Sequence, residues 1–150
     1  MRVTYTLLLA TLCTVVGLPV FAEGKLQLTK MSDIKWAPCD PKAPQPDPCQ
    51  INYFRGNPEK EENYAFIKIP KGHTFPPHWH TQNENIIVTQ GTLIIGGEKD
   101  SKGTPVRAGE YGFVPAKWIH WATCADQDCV FYLNNEAADS YIDVNERRPD

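Results

Sequence analysis

The chain has 150 residues, of which 41% are hydrophobic and 22% are charged, and its formal net charge is −3. This length and composition are typical of one globular domain. An acidic balance without a basic run or patch argues against nucleic acid or anionic lipid as a partner, and favours a small molecule or another protein.

The first 22 residues have the features of an export signal. Met1–Val3 carry one positive charge, Leu7–Val16 form an apolar core, and Val20–Ala22 make a cleavage site with small residues. The apolar core is too short and too interrupted to span a bilayer. We therefore predict removal of residues 1–22, one domain over residues 23–150, and a periplasmic or secreted protein with no membrane partner after signal cleavage.

Residues 24–50 form an N-terminal extension that contains two of the four cysteines left after signal cleavage. An even number of cysteines in an exported chain favours disulfides, although four cysteines allow three connectivities. We favour Cys39–Cys49, which would close a proline-rich loop, and Cys124–Cys129, because each pair brackets a short polar segment. The alternative is a thiolate zinc site, but neither pair has the usual Cys-x2-Cys spacing.

Short β-prone runs separated by Gly, Pro and Asn make up the rest of the chain, and no useful helical periodicity is present. Evenly spaced strands of this kind predict an all-β barrel or a double-sheet jelly roll. The charged tail 145–150 is expected to fray. The predicted strands are 51–54, 64–69, 78–80, 85–89, 92–95, 110–114, 119–123, 130–133 and 141–144, with one more near 34–36.

Two histidines that are two residues apart indicate a metal site. In a strand, His78 and His80 would point to the same side, roughly 6.6 Å apart along the strand. Imidazoles at this separation can bind one divalent ion, and Glu84 could reach the same ion from the next strand. A third imidazole, His120, follows a second glycine- and proline-containing run.

These residues resemble the two conserved motifs of the cupin superfamily. The first match is Gly72-x5-His78-x-His80-x3-Glu84-x6-Gly91, and the second is Gly109-x5-Pro115-x4-His120. Two positions depart from the pattern: Lys117 stands where the family usually has glycine, and Cys124 stands where it often has asparagine. The resemblance implies the cupin double-stranded β-helix, which is a jelly-roll barrel.

The same resemblance implies the cofactor and its ligands. One divalent transition metal (Fe, Mn, Zn, Ni or Cu) would be bound by His78, His80, Glu84 and His120, and Glu84 is also the candidate catalytic residue. We expect an aromatic pocket beside the metal. Its candidate residues are Phe75, Phe113, Trp118 and Arg55, the last as a ligand of an anionic substrate if its strand face points inward.

Three functions remain open at this point. The chain is interpreted first as an exported metal-dependent enzyme that oxygenates, decarboxylates, isomerises or cleaves a small oxygen-bearing substrate. The second interpretation is a module that binds a metal or small ligand without turnover, distantly similar to the cupin domain of ChrR-type anti-sigma factors. The third is a structural or storage-like use of the fold. Because cupins often pair, a homodimer is also expected.

Overall fold

The computed structural model describes residues 26–43 and 47–150, so the expected export signal lies outside the described residues. Within these ranges the chain forms a 3₁₀ turn at Met31–Asp33 and eleven β-strands. The strands are β1 (Ala37–Pro38), β2 (Gln50–Gly56), β3 (Asn63–Ile69), β4 (Thr74–Trp79), β5 (Glu84–Gln90), β6 (Thr92–Gly97), β7 (Thr104–Arg107), β8 (Tyr111–Val114), β9 (His120–Cys124), β10 (Cys129–Asn135) and β11 (Ile142–Asp143). In these two ranges, no helix has the length and apolar character needed to cross a membrane.

The strands form two antiparallel sheets that enclose one core. The six-stranded sheet has the order β1-β2-β3-β10-β5-β8, and the five-stranded sheet has the order β11-β4-β9-β6-β7. Buried side chains from both sheets meet in a single hydrophobic cluster. This confirms the predicted all-β jelly roll. It corrects the expectation of a closed barrel, because each sheet ends in edge strands and no described strand pairs between the sheets.

Alternation along β3 shows how the sequence builds the core. Ala65, Ile67 and Ile69 are buried, whereas the residues between them are half-buried on the outer face. A strand of period two places every second side chain inward. Full burial of each large aliphatic side chain contributes about 1.5–3 kcal/mol, so such strands hold the two sheets together.

The observed strands differ from the predicted ones mainly at the sheet edges. The sequence did not predict β7, which contains Pro105 and lies in a polar stretch. Proline is tolerated there because β7 is the last strand of its sheet. The strand expected near 34–36 is instead β1, and β4 ends at Trp79, so His80 lies just beyond it.

Both predicted disulfides are present. Cys39 and Cys49 have Cα atoms 5.3 Å apart, and Cys124 and Cys129 have Cα atoms 5.8 Å apart. The first bond attaches the N-terminal segment to the start of β2. The four cysteines among the described residues are therefore paired, and the thiolate zinc alternative is wrong.

The C-terminal tail is attached, which corrects the expectation that it frays. Arg148 forms a bidentate ion pair with Glu98 at 2.7 and 3.2 Å. The indole N–H of Trp79 donates to the backbone oxygen of Arg147 at 2.7 Å, and the Arg147 guanidinium lies 5.2 Å from the centroid of the Trp79 ring. Trp79 thus packs against the C-terminal tail.

Candidate metal centre

Three buried histidines converge between the sheets. His78 on β4 and His120 on β9 are direct cross-strand partners, and His80 follows two residues after His78. One nitrogen from each ring lies within 4.8 Å of one nitrogen of the other two. The sequence spacing thus brings together a compact group of three imidazoles that could hold a metal ion.

Glu84 approaches this group from the opposite sheet. It is the first residue of β5, and its Oε2 lies 3.3 Å from His80 Nε2 and 3.8 Å from His120 Nε2. Its side chain is 6% exposed. The candidate centre therefore contains three histidines from the five-stranded sheet or its margin and one carboxylate from the six-stranded sheet.

Backbone carbonyls fix the orientation of two of the rings. His78 Nδ1 lies 2.7 Å from the carbonyl oxygen of Pro76, and His120 Nδ1 lies 2.9 Å from that of Trp118. Because a carbonyl only accepts, each Nδ1 carries the proton and donates. Each Nε2 then keeps its lone pair for a metal, which is the usual arrangement around metal-ligating histidines.

Burial keeps the three imidazoles neutral. It lowers the pKa of His78 to about 4 and that of His80 to about 2, and neighbouring imidazoles add to both decreases. Burial also lowers the pKa of His120, although the hydrogen bond to Trp118 opposes the change. Neutral imidazole is the form that binds metals.

Glu84 lacks a compensating positive charge. Burial raises the pKa of its carboxyl to about 8, and the negative charge of Asp139 adds to the increase. In the described part of the chain its ion-pair partners are His80 and His120, both neutral near pH 7. A buried carboxylate beside neutral imidazoles is costly unless a cation is present. The residues present therefore fit a divalent transition metal, for which nitrogen ligands and one carboxylate are suited.

Lys117 occupies a left-handed turn before His120. Its φ is 64°, the only positive φ of a non-glycine residue in the described chain. Its N–H donates to the carbonyl oxygen of His80 at 2.8 Å, which ties this turn to the metal-site strand. The turn for which the family usually has glycine is thus kept with lysine in its place.

A cavity of about 490 Å³ leads to the candidate centre. His80 and Glu84 lie in its wall, and the same two residues also line a smaller chamber of about 80 Å³ that contacts His78 and His120. The Cys39–Cys49 loop contributes part of the outer wall. A small molecule in this cavity would be next to the three-histidine group.

The predicted pocket residues lie in different places. Phe75 lines both the cavity and the inner chamber. Trp118 is 39% exposed and stacks on the His120 ring, with centroids 5.5 Å apart, but lines neither space. It holds His120 from outside, through this stacking and through its carbonyl oxygen.

Phe113, which was expected in the pocket, lies outside the cavity, and so does Arg55, whose proposed role required an inward strand face. On β8, Val114 is buried and Phe113 is 51% exposed, because adjacent residues of a strand point to opposite faces. In β2 the register shifts between Tyr53 and Arg55, so these residues do not share a face as ideal spacing predicts. Tyr53 lines the cavity, whereas the Arg55 guanidinium lies over the Tyr64 ring, 5.3 Å from its centroid.

Several residues of the cavity, including two tyrosines and an aspartate, were not predicted from the sequence. Tyr53, Asp139 and Tyr141 line it, and Tyr141 stacks on His78 with ring centroids 4.2 Å apart. The last two come from the C-terminal segment, which β11 brings alongside β4. Spacing within a motif carries no signal for such contacts, because they depend on where a distant segment returns.

Comparisons with known proteins agree with this fold. A family profile described as the ChrR cupin-like domain matches residues 25–139. The acetylacetone-cleaving enzyme of Acinetobacter johnsonii is 24% identical over 119 residues, which cover 79% of this chain and 77% of that protein.

Solved structures show the same fold. An acetylacetone dioxygenase from Acinetobacter johnsonii superposes with a TM-score of 0.64 at 21% identity, with 86% of each chain covered. The anti-sigma factor complex of Rhodobacter sphaeroides SigE with ChrR gives a TM-score of 0.53 at 19% identity, over 71% of this chain and 51% of that chain.

Proposed function

The chain belongs to the ChrR cupin-like family, and we propose that it is an exported, metal-dependent enzyme that acts on a small oxygen-bearing substrate. The observation that carries the proposal is a buried three-histidine group, with Glu84 beside it, in contact with a cavity of about 490 Å³. The proposed reaction is oxygenation, decarboxylation, isomerisation or lyase chemistry. Cleavage of a small dicarbonyl compound has the most direct support, because one relative is named for cleaving acetylacetone.

His78, His80, His120 and Glu84 would hold one divalent transition metal, whose candidates are Fe, Mn, Zn, Ni and Cu. When bound, such a metal supplies a Lewis acid that polarises a substrate oxygen. The two carbonyl-bonded histidines are held in their binding tautomer before any metal arrives. Phe75 and Tyr141 enclose the substrate position and limit its contact with water.

Glu84 is proposed as both ligand and catalytic residue. A divalent cation would favour loss of the proton that burial otherwise keeps on Glu84, and the resulting carboxylate would reduce the charge of the metal site from +2 to +1. Because Glu84 lines both the cavity and the inner chamber, its carboxylate is proposed to accept a proton from a bound substrate.

Export is part of the proposal. The two disulfides support an oxidising compartment, periplasmic or extracellular, since such bonds are rare in the cytosol. Fractionation of the source cells, with N-terminal sequencing of the recovered protein, tests both the compartment and cleavage after residue 22.

Metal analysis of His80→Ala tests the metal centre, with His73→Ala as the matched control. We expect about one ion per chain in the wild type and in His73→Ala, and less than about a tenth of that in folded His80→Ala. His80→Ala removes one nitrogen from the four-residue site, whereas His73→Ala removes none. Full metal content in His80→Ala, with a wild-type circular dichroism spectrum, would refute the assignment.

Turnover separates the enzyme from a binding module. If the proposal is correct, the metal-loaded wild type consumes acetylacetone or a related small dicarbonyl compound, and Glu84→Ala does not. The second candidate function, binding without turnover, is favoured by the match to the ChrR cupin-like family. In that case the compound binds and is recovered unchanged.

A further inference from the structure

We propose that the cavity selects uncharged oxygen-bearing substrates over carboxylates, and that Asp139, held by Tyr53, is the residue that determines this selectivity. This inference rests on the proposed function, since it concerns the substrate of the same centre. It replaces the anionic substrate that an inward Arg55 would have favoured.

The charges in the cavity wall are all of one sign. Four carboxylates lie in it, and among the described residues no lysine or arginine does. The carboxylates belong to Asp40, Asp47, Glu84 and Asp139. Besides His80 of the candidate centre, the titratable base in this wall is His73, and burial lowers its pKa, which favours the neutral form. An anionic ligand would therefore pass and face negative charges, with the metal as its one source of attraction.

Tyr53 and Asp139 form the inner polar part of this wall. The Tyr53 hydroxyl donates to Asp139 Oδ2 at 2.9 Å. Burial raises the pKa of Asp139, but the hydrogen bonds from Tyr53 and from the Ser140 backbone oppose that change and favour the carboxylate. The Tyr53 proton is engaged in this bond. The pair therefore offers acceptors to a ligand and no free donor, so a ligand hydroxyl fits there and a ligand carboxylate does not.

Asp139 and Glu84 line the same cavity. A substrate carboxylate bound next to Glu84 would therefore also face the carboxylate of Asp139. Like charges across a few ångströms of partly dry protein weaken binding by roughly 10- to 100-fold.

Calorimetric titration with two matched probes tests the inference. Acetylacetone is uncharged, and acetoacetate is its close analogue in which a carboxylate replaces one acetyl group. We expect metal-loaded wild-type protein to bind acetylacetone at least about 10-fold more tightly than acetoacetate. Asp139→Asn should reduce this ratio several-fold. Tyr53→Phe is a second variant that removes the hydrogen bond and keeps the ring.

Asp126→Asn is the control, because Asp126 is an exposed carboxylate outside the cavity that accepts from Thr92 Oγ1 at 3.0 Å. It should leave the ratio at the wild-type value. The inference is overturned if acetoacetate binds the wild type as tightly as acetylacetone, if neither probe binds loaded protein, or if folded Asp139→Asn keeps the full preference. Metal content, measured on the same samples, reports separately on the proposed function, and selective binding without turnover would support the inference while contradicting the enzyme.

Discussion

At the scale of single residues, the candidate centre is arranged by short backbone contacts. His78 and His120 each donate from Nδ1 to the carbonyl oxygen two residues earlier. Both contacts are local, because each joins residues only two positions apart in the chain. The tautomer of these two histidines is therefore set locally. The position of Glu84 beside them depends instead on how the opposite sheet packs.

The pKa of Glu84 predicts how metal affinity depends on pH. In the metal-free protein the pKa is raised to about 8, so below pH 8 a metal must displace a proton from this carboxyl. Affinity should rise by up to about tenfold per pH unit between pH 6 and 8 and level off above pH 8. His78 and His80 lose their protons at much lower pH and do not contribute in this range. Competition with a chelator from pH 6 to 9 measures the profile.

Glu84→Gln is the matched variant for this measurement. The amide keeps the shape of the side chain but does not titrate, so the rise in affinity over this range should disappear. A slope that is unchanged in Glu84→Gln would contradict the role of Glu84 as a ligand.

Lys117 predicts a second effect at this scale. A left-handed backbone costs a lysine about 1 kcal/mol or more, and glycine avoids most of this cost. Lys117→Gly should therefore raise the free energy of unfolding by about 0.5 kcal/mol after the entropy cost of glycine is included, and should leave metal content unchanged. Denaturant unfolding measures the effect. Lys102→Gly is the control, since Lys102 lies outside the left-handed region and gains nothing; equal stabilisation of both variants would contradict the explanation.

At the scale of elements, the two disulfides have different positions relative to the site. Cys39 and Cys49 both line the cavity, whereas Cys124 and Cys129 are fully buried at the turn between β9 and β10. The first bond therefore shapes the wall through which a ligand passes. The second joins two strands of different sheets away from that wall.

Paired serine variants test this difference. Each bond closes a short loop, so the loss of either should lower the free energy of unfolding by about 2–3 kcal/mol. Cys39→Ser with Cys49→Ser should also weaken acetylacetone binding several-fold while metal content stays at the wild-type level. Cys124→Ser with Cys129→Ser should leave the binding affinity of the folded fraction unchanged. Denaturant unfolding and calorimetry give the two values, and equal losses of affinity in both double variants would contradict a specific role for the first bond.

At the scale of the whole molecule, the candidate centre joins the two sheets. Three histidines belong to one sheet or its margin and Glu84 to the other, so the candidate set of four residues exists only when the sheets are packed together. A metal that binds only the folded protein stabilises it by about 2.7 kcal/mol at a concentration 100-fold above its Kd.

The outer face of the six-stranded sheet leaves Phe54, Tyr111 and Phe113 exposed, and pairing of two copies of the chain stays a prediction.

The sequence by itself was sufficient for the jelly-roll class, the three histidines and both disulfides. The spacing of His78 and His80 uses the period of a strand, and each cysteine pair is separated by a short loop. Such features depend on contacts between residues close in the chain, or on motifs whose spacing is itself the signal. The left-handed turn before His120 is present although Lys117 stands where the family usually has glycine.

Only the tertiary structure decided which residues face the substrate. A register shift in β2 separated Tyr53 from Arg55, and strand parity in β8 turned Phe113 outward. The return of the C-terminal segment beside β4 brought Asp139 and Tyr141 into the cavity. These features could not be predicted from the sequence. One extra residue in a strand inverts its faces, and contacts across more than fifty residues leave no local pattern.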